Sequence, residues 1–152
     1  MKIALYGKAF GFDYDELMID VLRQLKESSI EIVVYEPFLK DIKHCFEEDC
    51  EYQLFNGYEE IKDNADILFS FGGDGTILDS VPLIRDSGIP VLGINTGNLG
   101  FLASVSPKDT SVAVKNIIAG NYSVESRSLI QINDYNNVFN GINYALNEVS
   151  IC

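Results

Sequence analysis

Ile67-Leu68-Phe69-Ser70-Phe71-Gly72-Gly73-Asp74-Gly75-Thr76 is the stretch on which the fold turns. Five consecutive apolar or small residues are the length of a strand buried on both faces, as in a parallel sheet. Two glycines then let the chain turn tightly, and a helical pattern follows in Ile77, Leu78, Val81 and Ile84. Pro82 falls inside that pattern and predicts a kink or a late helix start. Upstream, residues 2–6 and 30–35 read as strands on either side of a helix whose apolar positions are Tyr14, Leu17, Met18, Val21, Leu22 and Leu25, with Asp13 as its N-cap. Strand, helix, strand at this spacing is a right-handed βαβ unit. Downstream, residues 89–94 form another buried strand, ending in the glycine-bearing loop Asn95-Thr96-Gly97-Asn98-Leu99-Gly100-Phe101-Leu102.

The fold expected is therefore α/β: an open, mostly parallel sheet with helices on both faces, over residues 1–103. Residues 36–66 carry the weakest signal; they hold 10 acidic side chains against 3 lysines and read as a solvated face with a short helix over 38–46. Ser106-Pro107 predicts the start of a linking helix that ends at Gly120. After Gly120, alternation over residues 122–132, turn chemistry at 133–137 and apolar runs at 138–142 and 144–151 predict the start of an antiparallel all-β domain. Residues 104–152 are thus read as the linking helix plus a truncated β domain, and the chain as an incomplete piece, inactive alone.

Composition narrows the function. The 152 residues are 47% hydrophobic and carry a formal net charge of −12, which argues against a general nucleic-acid binder or a basic membrane-surface protein. The charge is uneven: residues 1–71 have 7 basic and 16 acidic side chains, residues 72–152 only 4 and 7, so an anionic ligand is repelled less by the second half. No apolar run approaches the roughly 18 residues of a membrane span, and Met1–Gly7 reads as a first strand rather than a leader. Three cysteines without a CxxC pair predict free thiols in a cytoplasmic protein. His44, Cys45 and Cys50 lack the paired spacings of a closed zinc site, so the segment reads as ordinary and partly buried, and no metal ligand is assigned.

Three constellations bear on chemistry. Gly72-Gly73-Asp74-Gly75-Thr76 lies at the carboxyl end of a parallel strand, where open α/β sheets bind ligands. Its glycines would admit phosphate oxygens to bare N–H groups, and Asp74 would take a proton from an attacking hydroxyl or hold Mg²⁺; a plain turn accounts for the same residues equally well. The second is the loop from Gly93 to Leu102, in which Asn95-Thr96 fits a cap or turn and Phe101 fits core or pocket wall. In the third, Asn147-Glu148 interrupts an apolar strand, so one of the two polar side chains points inward and needs a partner, for which a ribose diol is suited; a strand edge facing water is the alternative.

Taken in this order and spacing, Gly72–Thr76, Asn95–Leu102 and Ala145-Leu146-Asn147-Glu148-Val149 resemble the NAD kinases, along the whole chain. The first motif alone is shared with phosphofructokinases and diacylglycerol-type lipid kinases. The resemblance implies an N-terminal α/β and a C-terminal all-β domain with the active site between them. It implies phosphoryl transfer from ATP, or polyphosphate, with a divalent metal such as Mg²⁺, to the 2′-hydroxyl of the adenosine ribose of NAD, in a homo-oligomer that needs neither nucleic acid nor membrane. It further implies Asp74 as the acid–base residue, and Gly73, Asp74, Gly75, Leu78, Phe101, Asn147 and Glu148 as the residues that bind the dinucleotide. The chain departs from the family at Asp79, where an arginine is frequent, and at Asn98, where a basic residue is frequent; Lys8 is a candidate substitute or a plain surface lysine. The readings kept beside NAD kinase are another kinase with this loop, acting on a lipid or sugar, and a non-catalytic nucleotide-binding or assembly module.

Overall fold

A computed structural model describes residues 1–8, 10–97, 100–133 and 144–146. The expected sheet is present: β1 (Lys2–Gly7), β2 (Glu31–Tyr35), β3 (Gln53–Phe55), β4 (Ile67–Phe71) and β5 (Val91–Ile94) form one sheet in the order β3-β2-β1-β4-β5. Every pairing in it is parallel. Its helices are α1 (Asp15–Glu27), α2 (Glu36–Ile42), α3 (Tyr58–Ile61), α4 (Asp74–Ile84) and α5 (Thr110–Ile118).

Both faces of the sheet are covered, because side chains alternate along each strand. Ile3, Leu5, Ile32, Val34, Phe69 and Phe71 pack with Met18, Val21 and Leu25 of α1, Phe38 of α2, and Val114 and Ile117 of α5. Ala4, Tyr6, Val33 and Leu68 face the other way, onto Phe55, Ile61, Leu83 and Ile84. The bond from Gln24 Nε2 to Ser111 Oγ, 2.9 Å, joins α1 to α5. Helix α5 is therefore packed into the same core as the strands that precede it.

Strand order reverses between β1 and β4, the central pair, and such a switch point opens a crevice at the carboxyl ends of its two strands. The loop Gly72–Thr76 leaves β4 at that place.

Helix starts differ from the sequence expectations. Asp13 does not cap α1: it lies in a 3-10 turn, Phe12–Tyr14, closed by the Tyr14 N–H on Gly11 O at 3.0 Å, and the helix begins after it. Ser106-Pro107 does not open α5 but forms a turn. The Ser106 hydroxyl donates to Asp109 Oδ2 at 2.6 Å, the Asp109 N–H returns to Ser106 O at 3.0 Å, and the helix starts at Thr110. Pro82 does not delay α4, which starts at Asp74 and ends two residues beyond the proline, at Ile84. Proline has no N–H to give to Leu78 O, so α4 forgoes that one bond, and it ends two residues later. The expected helix over 38–46 is α2 followed by a 3-10 turn, Lys43–Cys45. Cys45 is buried, and desolvation, with Asp15 beside it, pushes its thiol up to about 11.

Beyond α5 the chain is exposed from Asn121 to Leu129 or nearly so, and among the described residues it pairs only at β6 (Ile130–Gln131) with β7 (Tyr144–Ala145), antiparallel. This is the small antiparallel sheet expected there. The strand read over 138–142 lies outside the described residues, as does most of that over 144–151.

Candidate functional site

The site forms where the loop leaving β4, which borders the switch point, meets the loop that leaves β5 on its other side. Gly72 leaves β4 with φ +152°, a backbone region that side chains rarely adopt, and a Cβ there would stand 2.1 Å from Thr76 Oγ1. That turn sets Gly73 as the N-cap of α4 and Asp74 as its first residue. The second loop runs out from β5 and returns beside it: Asn95 N–H donates to Val105 O at 2.8 Å, and Val105 N–H to Gly93 O at 3.2 Å. Asn95 is buried, accepts the Gly97 N–H on Oδ1 at 2.7 Å, and donates from Nδ2 to Ala103 O at 3.4 Å, so it shapes the loop from inside.

The returning loop presents three amides to one carboxylate. Phe101 N–H donates to Asp74 Oδ2 at 2.7 Å, while Leu102 and Ala103 donate to Oδ1 at 2.8 and 2.9 Å. These bonds, that of Ala103 foremost, hold the Asp74 carboxyl below the usual carboxylate range, so it is ionised at neutral pH. Gly100 makes the approach feasible, since a Cβ on it would stand 2.1 Å from Asp74 Oδ1. A carboxylate has about four lone-pair sites. Two bonds fill Oδ1 and one occupies Oδ2, which leaves Oδ2 free to accept one more proton donor.

The other expected residues fall around this clamp. Gly73 and Gly75 have open space where a Cβ would be, so a ligand can approach their backbone. Leu78 is one turn further along α4 and 37% exposed; Phe101 is 97% exposed and belongs to no core. Asp74 and Phe101 are thus brought together, but through the Phe101 backbone rather than its ring. Asn147 and Glu148 lie outside the described residues, as does Asn98. Lys8, at the end of β1, forms an ion pair with Asp79 at 2.7 Å, so a cation does stand at the crevice, already paired. Gly100 and Asn95, both in the loop Asn95–Leu102, shape the site although the sequence assigns neither a site role. Their signal is a glycine and an amide in a loop after a buried strand, which is also ordinary turn chemistry.

Comparison with known proteins bears on the family and the fold. Residues 13–122 match the family described as the ATP-NAD kinase N-terminal domain. The NAD kinase of Flavobacterium johnsoniae is 34% identical over 155 residues, covering 99% of this chain and 52% of that protein. That of Bacteroides fragilis is 32% identical over 151 residues, covering 99% and 51%. The chain thus spans about half the length of these curated relatives. A crystal structure of yeast NADH kinase complexed with NADH superposes with a TM-score of 0.70 at 21% identity, over 86% of this chain and 41% of that one, and supports the fold. With its matched segment holding the glycine loop, the clamped carboxylate and most of the sheet, the chain belongs to the ATP-NAD kinase N-terminal domain family.

Proposed function

We propose that this chain supplies the α/β half of an NAD kinase, which transfers a phosphoryl group from ATP or polyphosphate to the 2′-hydroxyl of the adenosine ribose of NAD, giving NADP. The observation that carries the reading is the Asp74 carboxylate, held by three amides at the mouth of the switch point and keeping one acceptor site on Oδ2. An acceptor hydroxyl can donate to that site. Phosphoryl transfer passes through a loose transition state in most analyses, so positioning and electrostatics supply most of the rate. A carboxylate with a lowered pKa suits that chemistry, because it orients the hydroxyl and takes its proton late, when the forming bond has acidified it.

The open backbone at Gly73 and Gly75 is offered to the dinucleotide, with Leu78 and Phe101 as apolar walls and Asn147 and Glu148 as partners for ribose hydroxyls. A divalent cation such as Mg²⁺ keeps several waters and is bound largely through phosphate oxygens. The one acceptor site left on Asp74 Oδ2 suits either a metal-bound water or the acceptor hydroxyl; we give it to the hydroxyl, so the cation would be held through phosphate oxygens, where it would neutralise developing charge. Lys8 adds a positive charge near the donor, offset by Asp79. We place the protein in the cytoplasm as a homo-oligomer acting on NAD and ATP without nucleic acid or membrane. Its Cys45 and Cys50 are free thiols, and among the described residues no helix is long and apolar enough to cross a membrane. The α/β unit is proposed to extend through α5, which shares its core, rather than to stop at residue 103.

The full-length protein, incubated with ATP and Mg²⁺ and offered NAD, fructose 6-phosphate or a diacylglycerol, should phosphorylate NAD alone. Phosphorylation of either other acceptor in preference to NAD, or of none, would overturn the proposal.

A further inference from the structure

The chain's only histidine is carried away from the crevice described above, to a place where it meets a thiol and a carboxylate. His44 and Cys45 lie in the 3-10 turn that follows α2, and Asp15 is the first residue of α1. His44 Nε2 is 2.8 Å from Asp15 Oδ2, and Cys45 Sγ is 3.8 Å from Asp15 Oδ1. One donor atom from each residue lies within 4.8 Å of the other two, in the one such grouping of three found among the described residues.

The three donors are of three kinds: an imidazole nitrogen, a thiol sulfur and a carboxylate oxygen. That mixture suits a borderline-soft divalent ion better than magnesium or calcium, which take oxygen ligands. Zinc–ligand distances of about 2.0–2.3 Å in a tetrahedron put ligand atoms on the order of 3.5 Å apart. The two contacts above are made to different oxygens of Asp15; with one donor atom taken from each residue, all separations are within 4.8 Å, so the three atoms close around an ion by shifts on the order of an ångström or less.

Burial differs among the three. Cys45 is buried, Asp15 is partly covered, and His44 has its side chain 45% exposed. The sulfur is therefore held in the core, and the imidazole lies at the solvent side. A water entering past His44 would complete four-coordination.

We propose that Asp15, His44 and Cys45 form a binding site for a zinc-like divalent cation that fastens the start of α1 to the turn after α2. On binding, the Cys45 S–H bond breaks, its proton leaves to solvent and a sulfur–metal bond forms. The Asp15 contacts to the imidazole and thiol are replaced by contacts to the ion. Cys50, further along the chain, is not one of the three ligands.

The test uses the full-length protein, stripped with a chelator and titrated with Zn²⁺ against a chromophoric competitor, and separately with Co²⁺. One equivalent should bind, with a thiolate-to-cobalt charge-transfer absorption. Replacing even an outer partner of a metal ligand typically costs 10–100-fold in affinity, so Cys45→Ser and His44→Ala should each weaken binding by about a hundredfold or more. The cobalt band should vanish in Cys45→Ser and persist in Cys50→Ser. His44 is half-exposed, so His44→Ala keeps the test sound even if Cys45→Ser perturbs folding. Absence of binding by the parent protein, or affinity unchanged in both variants, would overturn the site.

Discussion

The sheet and the ribbon that follows α5 place similar residues in opposite surroundings. Leu68 and Phe69 in β4 are 0% exposed, whereas Val124 and Ile130 beyond α5 are 59% and 45% exposed. Each region has β-prone residues in strand-like order, so the difference lies in neighbours. Strand β4 is paired along its length on both sides, with β1 and with β5, and both of its faces are covered. The ladder between β6 and β7 is two residues long. Apolar alternation thus specifies which side of a strand is inward only once something is there to cover it. Under the function proposed above, the contrast would be a division of labour: the packed layer would hold the reacting groups rigidly, and the later segment would supply contacts to the dinucleotide.

That division is tested most severely at Asp74. In the full-length protein Asp74→Asn should lower turnover about 10²–10⁴-fold, with NAD affinity changed much less. The amide NH₂ would also face one of the three loop N–H groups, and because Oδ2 has the single bond, the Phe101 amide should lose hydrogen-exchange protection first. Turnover like that of the parent would remove Asp74 from the chemistry. The same clamp has a pH signature. Its carboxyl is held below the usual range, so the stabilisation is complete above the unfolded value of about 3.9 and is lost only as the pH falls through the lower folded value. In NMR spectra the amides of Phe101, Leu102 and Ala103 should be flat from neutral pH to about 4 and move only below it. Titration at or above the ordinary range would show that the loop does not hold the carboxylate.

The second test concerns packing. Phe69 lies in a strand paired on both sides within the layer and is 0% exposed. Phe69→Ala should cost about 3–5 kcal/mol by lost burial and the cavity left behind, read by urea denaturation. A loss below about 1 kcal/mol would mean that the layer is far looser than its burial implies.

The strands and the glycine loop after β4 are readable in the sequence because their signals are local. Residues 67–71 are apolar or small without interruption, and a Gly-Gly-Asp-Gly sequence directly after such a run marks a tight turn at a sheet edge. The clamp on Asp74 is not readable, since its three donors come from 27 to 29 residues further on and are backbone groups, which no residue type advertises. Strand β3 escapes notice because three residues at the sheet edge, with Gln53 and Leu54 exposed and only Phe55 buried, are too short to show a period. Ser106 and Asp13 read as caps from residue type alone. Both are good turn formers as well, and in each case a local turn takes the residue before the helix begins. The meeting of Asp15 with His44 and Cys45 is equally hidden, because a carboxylate about thirty positions upstream carries no spacing signal toward a thiol.

The third test is at Glu148, assigned to the dinucleotide by resemblance. A charge-assisted hydrogen bond to a ribose hydroxyl is worth roughly 1.5–3 kcal/mol, so Glu148→Ala should raise the apparent NAD dissociation constant about tenfold or more. Turnover at saturating NAD should fall much less than in Asp74→Asn. Equal effects of the two substitutions on turnover would dissolve the division between a reacting layer and a binding segment. An unchanged NAD titration would make the Asn147-Glu148 pair structural.

The smallest effect is expected at Val124, and it bears most directly on the contrast between the two regions. The side chain is 59% exposed and lies in a stretch without ladder partners among the described residues. Substitutions at such positions usually stay within about 0.5 kcal/mol of the parent, because little apolar area is returned to water. Val124→Ala should therefore leave the urea midpoint of the isolated 152-residue chain almost unmoved, against the large shift for Phe69→Ala measured alongside it. The informative comparison repeats Val124→Ala in the full-length protein. If a further domain, such as the extra length of the relatives would provide, covers this segment, the valine becomes buried, and its truncation should cost more, on the order of 1–2 kcal/mol at the area coefficient for apolar burial. A small cost in both contexts would show that the segment stays on the surface even in the complete protein. A large cost in the 152-residue chain would show that residues 121–132 already pack on the layer, and the two regions would then be one cooperative unit.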